Sequence, residues 1–323
     1  MEFVRGLHNL RPEHRGCAAT IGNFDGVHLG HQAVLGQLAE RASALQVSSL
    51  VLLFEPQPLE YFRPDRAPAR LTRLREKILA LRSQPVERVL CARFDERLAA
   101  LEAEDFIDKV LIQGLNVRYV VVGDDFRFGK ERRGDFDLLA RVGRERGFEV
   151  AAMPTLGIDG ERVSSTRIRA ALAAGDLSTA ERLLGRPYRM SGRVVRGKNI
   201  GRQIGVPTAN LRVHRGATPV KGIFAVEMSG VADGALPGVA SLGTRPTIGG
   251  TELLLEVHVF DFNRDIYGAH VTVDFLQKLR DERRFDSIEA MREQILQDVA
   301  TTRAYFAHRE WLEVVTDRER ERL

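Results

Sequence analysis

Gly22-Asn23-Phe24-Asp25-Gly26-Val27-His28-Leu29-Gly30-His31 follows a short apolar run, Cys17–Ile21. It precedes a segment, Ala33 to Leu45, whose apolar residues fall at Val34, Leu35, Leu38, Ala42 and Leu45. The run is strand-like and the later spacing is helical, so the glycine-rich string is a strand-to-helix turn. Glycines at such a turn let the backbone approach a ligand, and the helix beyond offers unpaired N–H groups to an anion. His28 and His31, three apart, would share one helix face. As donors that carry positive charge when protonated, they suit a polyphosphate. A metal pair and two surface histidines are the plainer alternatives. A metal would want a third ligand, and the surrounding sequence offers no His/Asp/Glu cluster for it.

Outward from this turn, strand-like and helix-like segments alternate. Ser49–Phe54 predicts a strand, Arg70–Leu81 a helix, Arg88–Phe94 a strand and Ala103–Leu111 a helix. Tyr119–Gly123 predicts a strand, Asp135–Arg146 a helix and Glu149–Met153 a strand, and two helices, Thr166–Ala174 and Ser178–Leu184, complete the half. This order predicts an α/β domain with a doubly wound parallel sheet. At Gly185-Arg186-Pro187 the pattern changes. Tyr188–Arg196, Ile223–Val231, Leu236–Leu242, Leu253–Phe260 and His270–Leu279 read as strands separated by Gly-rich turns with no helix between them. That predicts an antiparallel barrel or sandwich. The tail, Ser287 to Phe306, is one amphipathic helix with Ile288, Met291, Ile295 and Val299 aligned, and the charged run 317–322 is expected to fray. The expected domains are therefore residues 1–186 and 187–323.

Composition bounds the rest. The chain has 323 residues, enough for two domains, with 44% hydrophobic and 28% charged residues. Wholesale disorder is excluded. The longest apolar run, Leu50 to Phe54, is far short of a membrane span, and Glu2, Arg5, Arg11, Glu13 and Arg15 leave no signal-peptide stretch at the start. Two cysteines do not make a disulfide framework. A cytoplasmic protein is expected. The net charge of +4 and isoelectric point of about 9.2 hint at anionic partners. The charge is spread along the chain, with no basic block of the kind a nucleic-acid-binding arm carries.

Further strings bear on chemistry. In Val163-Ser164-Ser165-Thr166-Arg167-Ile168-Arg169, hydroxyls open a helix, where they cap it or cradle phosphate. Phe54-Glu55-Pro56-Gln57-Pro58 and Val122-Gly123-Asp124-Asp125-Phe126-Arg127-Phe128-Gly129 follow strand ends, where ligands of doubly wound sheets bind. Arg127 can pair with phosphate; Phe126 and Phe128 suit a ring or the core. With the H-x-G-H string, this half resembles the nucleotidyltransferases that transfer a nucleotide α-phosphate and release pyrophosphate. More narrowly, it resembles the FMN adenylyltransferase module of bacterial bifunctional riboflavin kinase/FAD synthetases. Gln57 departs from that pattern, since many relatives have His there. The resemblance implies that His28 and His31 act in catalysis. It also implies that Gly22, Phe24, Asp25, Gly30, Asp125, Ser164, Ser165, Thr166 and Arg169 bind the nucleotide.

In the second half, Gly192 to Gly197, Gly201, Gly205 and Pro207-Thr208-Ala209-Asn210 form a Gly-punctuated loop that can fold over phosphates. It is not a P-loop, and a plain turn is the bland alternative. Thr208 and Asn210 alternate along an extended chain, so their oxygens point one way and can hold Mg²⁺. In a strand, Glu256 and His258 share a face opposite Leu255 and Val257. The pattern G-x-x-x-G-x-x-x-G-V-P-T-A-N resembles the riboflavin kinase module, as do the strings Lys221–Phe224, Gly243–Thr247, Leu255–Asp261 and Phe275–Arg280. Val206, Ser241 and Arg196 depart from the usual residues. The resemblance runs from about Gly16 to Phe306 and implies a nucleotidyltransferase domain plus a mostly antiparallel β-barrel with a C-terminal helix. It implies Glu256, facing a barrel opening, as general base; Gly197, Gly201, Gly205, Thr208 and Asn210 on the nucleotide; and Mg²⁺ on Thr208 and Asn210. Riboflavin would be phosphorylated by ATP to FMN and ADP, and FMN adenylylated to FAD and pyrophosphate, without nucleic acid or membrane. A homo-oligomer is compatible with this scheme. A related nucleotidyltransferase with another acceptor and a merely flavin-binding barrel is the alternative.

Overall fold

The computed structural model describes residues 1–197, 201, 205–213, 217–247 and 250–320; for 245–247, 250–252 and 310–320 it gives the backbone path. Residues 321–322, the end of the charged terminal run, lie outside the described residues. The chain forms two compact units, Met1–Arg167 and Ile168–Leu323.

The first unit runs β1 (Glu2–Arg5), β2 (Ala18–Ile21), α1 (Leu29–Ala44), β3 (Ser49–Glu55), α2 (Pro58–Phe62), α3 (Leu74–Arg82), β4 (Arg88–Arg93) and α4 (Glu96–Ala99). It continues through α5 (Ala103–Phe106), which passes into a π-helical stretch Ile107–Gly114, then β5 (Tyr119–Gly123), α6 (Phe136–Arg146) and β6 (Glu149–Met153). A small hairpin of β7 (Gly157–Ile158) and β8 (Glu161–Arg162) leads into α7 (Ser165–Ala174), which spans the division. Six parallel strands lie in the order β1-β4-β3-β2-β5-β6. From β2 the chain winds one way through β3 and β4, and β5 and β6 are laid down on the other side. The winding therefore reverses between β2 and β5, which places a ligand crevice beyond their carboxyl ends. Helices cover both faces, so β2 is buried along its length, as are Ser49–Leu53 of β3 and Tyr119–Val122 of β5. This is why Leu50–Phe54 reads as an unbroken apolar run.

Two expectations shift here. α1 begins at Leu29, ahead of its apolar stripe, because His28 caps it. The helix expected from Arg70 begins at Leu74, because the backbone N–H groups of Leu71 and Thr72 are bound by the Asp25 carboxylate instead of entering a helix.

The second unit holds α8 (Leu177–Leu184), β9 (Tyr188–Val195), β10 (Ala209–Arg212), β11 (Gly222–Ser229), β12 (Leu236–Thr247), β13 (Gly250–Val259), β14 (His270–Arg280) and α9 (Ile288–Arg320). The strands close into an antiparallel barrel, β10-β13-β12-β11-β14-β9, and β9 pairs with β10. Of the two architectures open from the sequence, barrel or sandwich, the chain takes the barrel. Phe224 and Phe275 meet edge to face inside it at 5.2 Å, with Tyr188 at 5.9 Å from Phe275. The expected boundary lay near Pro187, but Leu177, Leu183 and Leu184 of α8 are buried and the helix packs on β9 and β14. The contact division accordingly falls at Arg167. β10 is a strand that reads as loop in the sequence, since only four residues pair. α9 runs on to Arg320, beyond the expected Phe306, and Ile288 at its start is 62% exposed. Ser287 caps it, accepting from the Ala290 N–H at 3.1 Å, without a capping box. No helix among the described residues is long and apolar enough to cross a membrane.

Candidate active sites

The H-x-G-H string occupies the crevice at the sheet's reversal. His28 is the N-cap of α1, and its Nδ1 accepts from the His31 N–H at 3.2 Å. His28 is thus extended and not helical, yet the two imidazoles stack at 3.6 Å with planes 14° apart, and Phe24 lies 4.8 Å from His31. Phe24 and Val27 both take φ of 46°, a left-handed backbone that non-glycine residues seldom adopt and that clusters at functional loops. Gly30 is required by close approach. A Cβ there would meet the His28 ring at 3.2 Å and the Val163 carbonyl at 3.5 Å. The latter contact joins this turn to the second motif, which Ser165 also reaches by donating from Oγ to the Asp25 carbonyl at 2.8 Å.

His31 is not the cation that the sequence allows. Burial, then the neighbouring His28 and the positive Lys77, hold its pKa well below the usual 6.5. Its Nδ1 is sealed from solvent and has no hydrogen-bond partner among the described residues. It therefore offers a neutral imidazole to an incoming ligand.

Asp25 is buried, and its carboxylate accepts from Leu71 N at 3.0 Å, Thr72 N at 2.9 Å and Thr72 Oγ1 at 3.2 Å. The Gly26 N–H donates to Thr72 Oγ1 at 2.9 Å. Asp25 is thus a clamp between the motif loop and the segment that opens α3. Ser164 accepts from Arg167 N at 3.2 Å as a helix cap, so its two possible roles begin with the cap. Thr166 is exposed on the first turn of α7 and Arg169 follows one turn later. Asp125 accepts from Arg162 at 2.7 Å. Gly22 packs on the Phe24 ring, 3.1 Å from where its Cβ would stand. Of the residues considered for a ring or a phosphate, Phe126 and Phe128 stack at 5.4 Å against the core, and Arg127 is paired with Asp135 at 2.7 Å. Gln57 is 8% exposed and its Nε2 has no partner among the described residues.

The second site lies on the barrel wall. In register, Glu256 of β13 stands between Asn210 of β10 and Ser241 of β12. Leu255 and Val257 are fully buried, and Glu256 and His258 are half-buried on the opposite face. Met291, Ile295 and Asp298 of α9 line the same pocket as Glu256. This open pocket is about 310 Å³, apolar at Val206, Ile223, Val239 and Met291, polar at Thr208 and Glu256, and charged at Arg280 and Arg283. A second cavity of about 240 Å³, with Phe262, Arg264 and Tyr267 in its wall, shares Thr208 with the first. Gly197 packs directly on the Asn210 amide, and Gly201 on the Val206 carbonyl, so neither position has room for a Cβ. Gly205 has φ of 81°. The Asn210 Nδ2 donates to Thr208 O at 3.4 Å.

Several contacts escaped the sequence. His258 Nδ1 donates to Pro207 O at 2.8 Å and pins the loop before Thr208. Asp298 binds Arg280 in two parallel bonds of 2.9 and 2.7 Å, fixing α9 over the cavity. In the first unit, Arg70 bridges Glu55 and Glu60 beside the Asp25 clamp, and Lys77 is 1% exposed.

Comparison with known proteins covers both units. A family model described as FAD synthetase matches residues 10–167, and one described as riboflavin kinase matches residues 184–306. A Pseudomonas fluorescens protein named bifunctional riboflavin kinase/FMN adenylyltransferase is 53% identical over 309 residues, 95% of this chain and 98% of that one. The Escherichia coli K12 protein of the same name is 50% identical over 307 residues, with 95% and 98% covered. Among solved structures, one titled macrolide-efflux protein from Streptococcus pneumoniae matches at a TM-score of 0.79 and 29% identity, covering 94% of this chain and 99% of that one.

Proposed function

The chain belongs to the bifunctional riboflavin kinase/FMN adenylyltransferase family, and from that premise we propose which residues carry each half-reaction. The enzyme phosphorylates riboflavin with ATP to give FMN, then adenylylates FMN with a second ATP to give FAD and pyrophosphate.

Phosphorylation falls to the barrel unit. The observation that carries this is Thr208 standing between two cavities, one apolar and facing Glu256, the other lined by Phe262 and Tyr267. The first suits the flavin ring with its 5′-hydroxyl toward Glu256, which accepts the hydroxyl proton as oxygen attacks the γ-phosphorus. The second suits the adenine end of ATP. The Thr208 hydroxyl and the Asn210 carbonyl oxygen are hard donors of the type Mg²⁺ takes. No cluster of three His, Cys, Asp or Glu that would favour a transition metal occurs among the described residues. Bound there, Mg²⁺ would neutralise charge on the ATP phosphates and ADP leaving group. Gly197, Gly201 and Gly205 bring the loop backbone close enough to cover those phosphates.

Adenylylation falls to the sheet unit. FMN already carries an anionic nucleophile, so this site needs alignment and charge stabilisation more than a base. His28 and His31 donate to the triphosphate. Ser164, Ser165, Thr166 and Arg169 serve it from α7, and Asp125, beyond β5, faces the nucleoside. Gly22, Phe24 and Gly30 shape the turn, and Asp25 holds it. The partners are nucleotides and flavins; the evenly spread charge argues against nucleic acid, and the enzyme works in the cytoplasm.

One tube of riboflavin, ATP and Mg²⁺, followed by chromatography, tests the assignment. FMN then FAD should appear in sequence, and excess chelator should stop both. A protein that makes neither product refutes it.

A further inference from the structure

One charged group of the first unit is left over by the contacts described so far. Lys77, one turn into α3, is 1% exposed, yet no carboxylate lies within ion-pairing distance of its ammonium among the described residues. The surrounding acids are committed elsewhere. Asp25 accepts from Leu71 and Thr72, and Glu55 and Glu60 grip Arg70. Burial pushes the Lys77 pKa down, opposed chiefly by Asp25; Arg70, Glu55 and Cys91 act on it more weakly, and it acts in turn on His31. It sits in the first turn of α3, which follows directly on the Leu71 and Thr72 amides bound by Asp25 of the H-x-G-H string. The Asp25 clamp fixes α3 there.

A buried ammonium without a direct ion pair is costly, and a shape-matched apolar residue would serve packing better. The unpartnered Nδ1 of His31 lies within its electrostatic reach. A buried ammonium without an ion pair and a buried imidazole nitrogen without a hydrogen-bond partner both suit an anion. We propose that the Lys77 ammonium is a further anion-binding group of the adenylyl-transfer site, stabilising the pyrophosphate as it departs. This rests on the adenylylation assigned above. In the step, an FMN phosphate oxygen bonds to the ATP α-phosphorus, the α–β bridging bond breaks, and pyrophosphate leaves with the electron pair. Lys77 supplies charge and transfers no proton.

Lys77→Met and Lys77→Arg test this in the full-length enzyme. With Met, FAD formation from supplied FMN should fall about a hundredfold, and the Kd for inorganic pyrophosphate should weaken about tenfold. Riboflavin phosphorylation should be unchanged, and the thermal unfolding midpoint should rise. Arg, which keeps the charge, should recover most of the FAD rate. A Met variant within threefold of the parent overturns the proposal. So does an Arg variant as inactive as Met, or a Met variant of lowered stability, which would mark a purely structural role. A parent that makes FMN but no FAD refutes the adenylylation assignment instead, and the Lys77 role with it.

Discussion

Glu256→Gln is expected to lower FMN formation from riboflavin by about a thousandfold or more, while FAD formation from supplied FMN persists. A primary hydroxyl is a weak nucleophile, and positioned proton acceptance is worth roughly 10²–10⁴ in rate. Gln has the shape of Glu and keeps its hydrogen-bonding length, but it cannot take the proton. The strand that holds this residue is rigid, anchored inside by Leu255 and Val257 and paired on both sides, through Asn210 and Ser241. A loss in Glu256→Gln is therefore a loss of chemistry rather than of shape. Rates of each half-reaction, measured with separate substrates, decide it. A variant that still forms FMN at a tenth of the parent rate removes Glu256 from the base role, and simultaneous loss of both activities breaks the division of labour between the units.

Replacing His28 should have the complementary effect. Because its Nδ1 caps α1 through the His31 N–H, His28→Ala removes both an imidazole and a cap, the latter worth about 1 kcal/mol. His28→Asn restores a capping side chain without restoring the ring. Both variants should lose about a thousandfold in FAD formation with FMN accumulating, and only the Ala variant should lose measurable stability. If Asn recovers the activity, the residue is a cap and the imidazole has no part in the reaction.

What the sequence disclosed, and what it hid, follows from distance along the chain. The turn after β2, the parallel strands and the helix faces are local patterns, written within a few residues of one another. The strand alternation at Glu256 and His258 is equally local and holds. The Asp25 clamp joins residues 46 apart, Arg280 reaches Asp298 across a turn, and His258 reaches back to Pro207. No periodicity announces such contacts. Lys77 reads as an ordinary charged position on a helix because its burial depends on what the neighbouring strands place over it. β10 hides because a four-residue strand containing Asn looks like the loop on either side. The charge state of His31 is beyond reach for the same reason, since burial and the charged neighbours that the fold brings beside it exclude the proton.

That exclusion has a thermodynamic side. When the chain unfolds, His31 regains its ordinary affinity for a proton, near 6.5, which the folded unit denies it. Below that pH the unfolded state binds the extra proton, so stability is present in full above about pH 6.5 and is lost as the pH falls, at up to about 1.4 kcal/mol per pH unit. Urea unfolding of parent and His31→Gln at pH 7.5 and 5.5 should show the parent losing about 1 kcal/mol more than the variant across that interval; equal losses would mean that His31 is protonated in the fold. A mildly acidic medium thus weakens the sheet unit through the same burial that keeps His31 neutral.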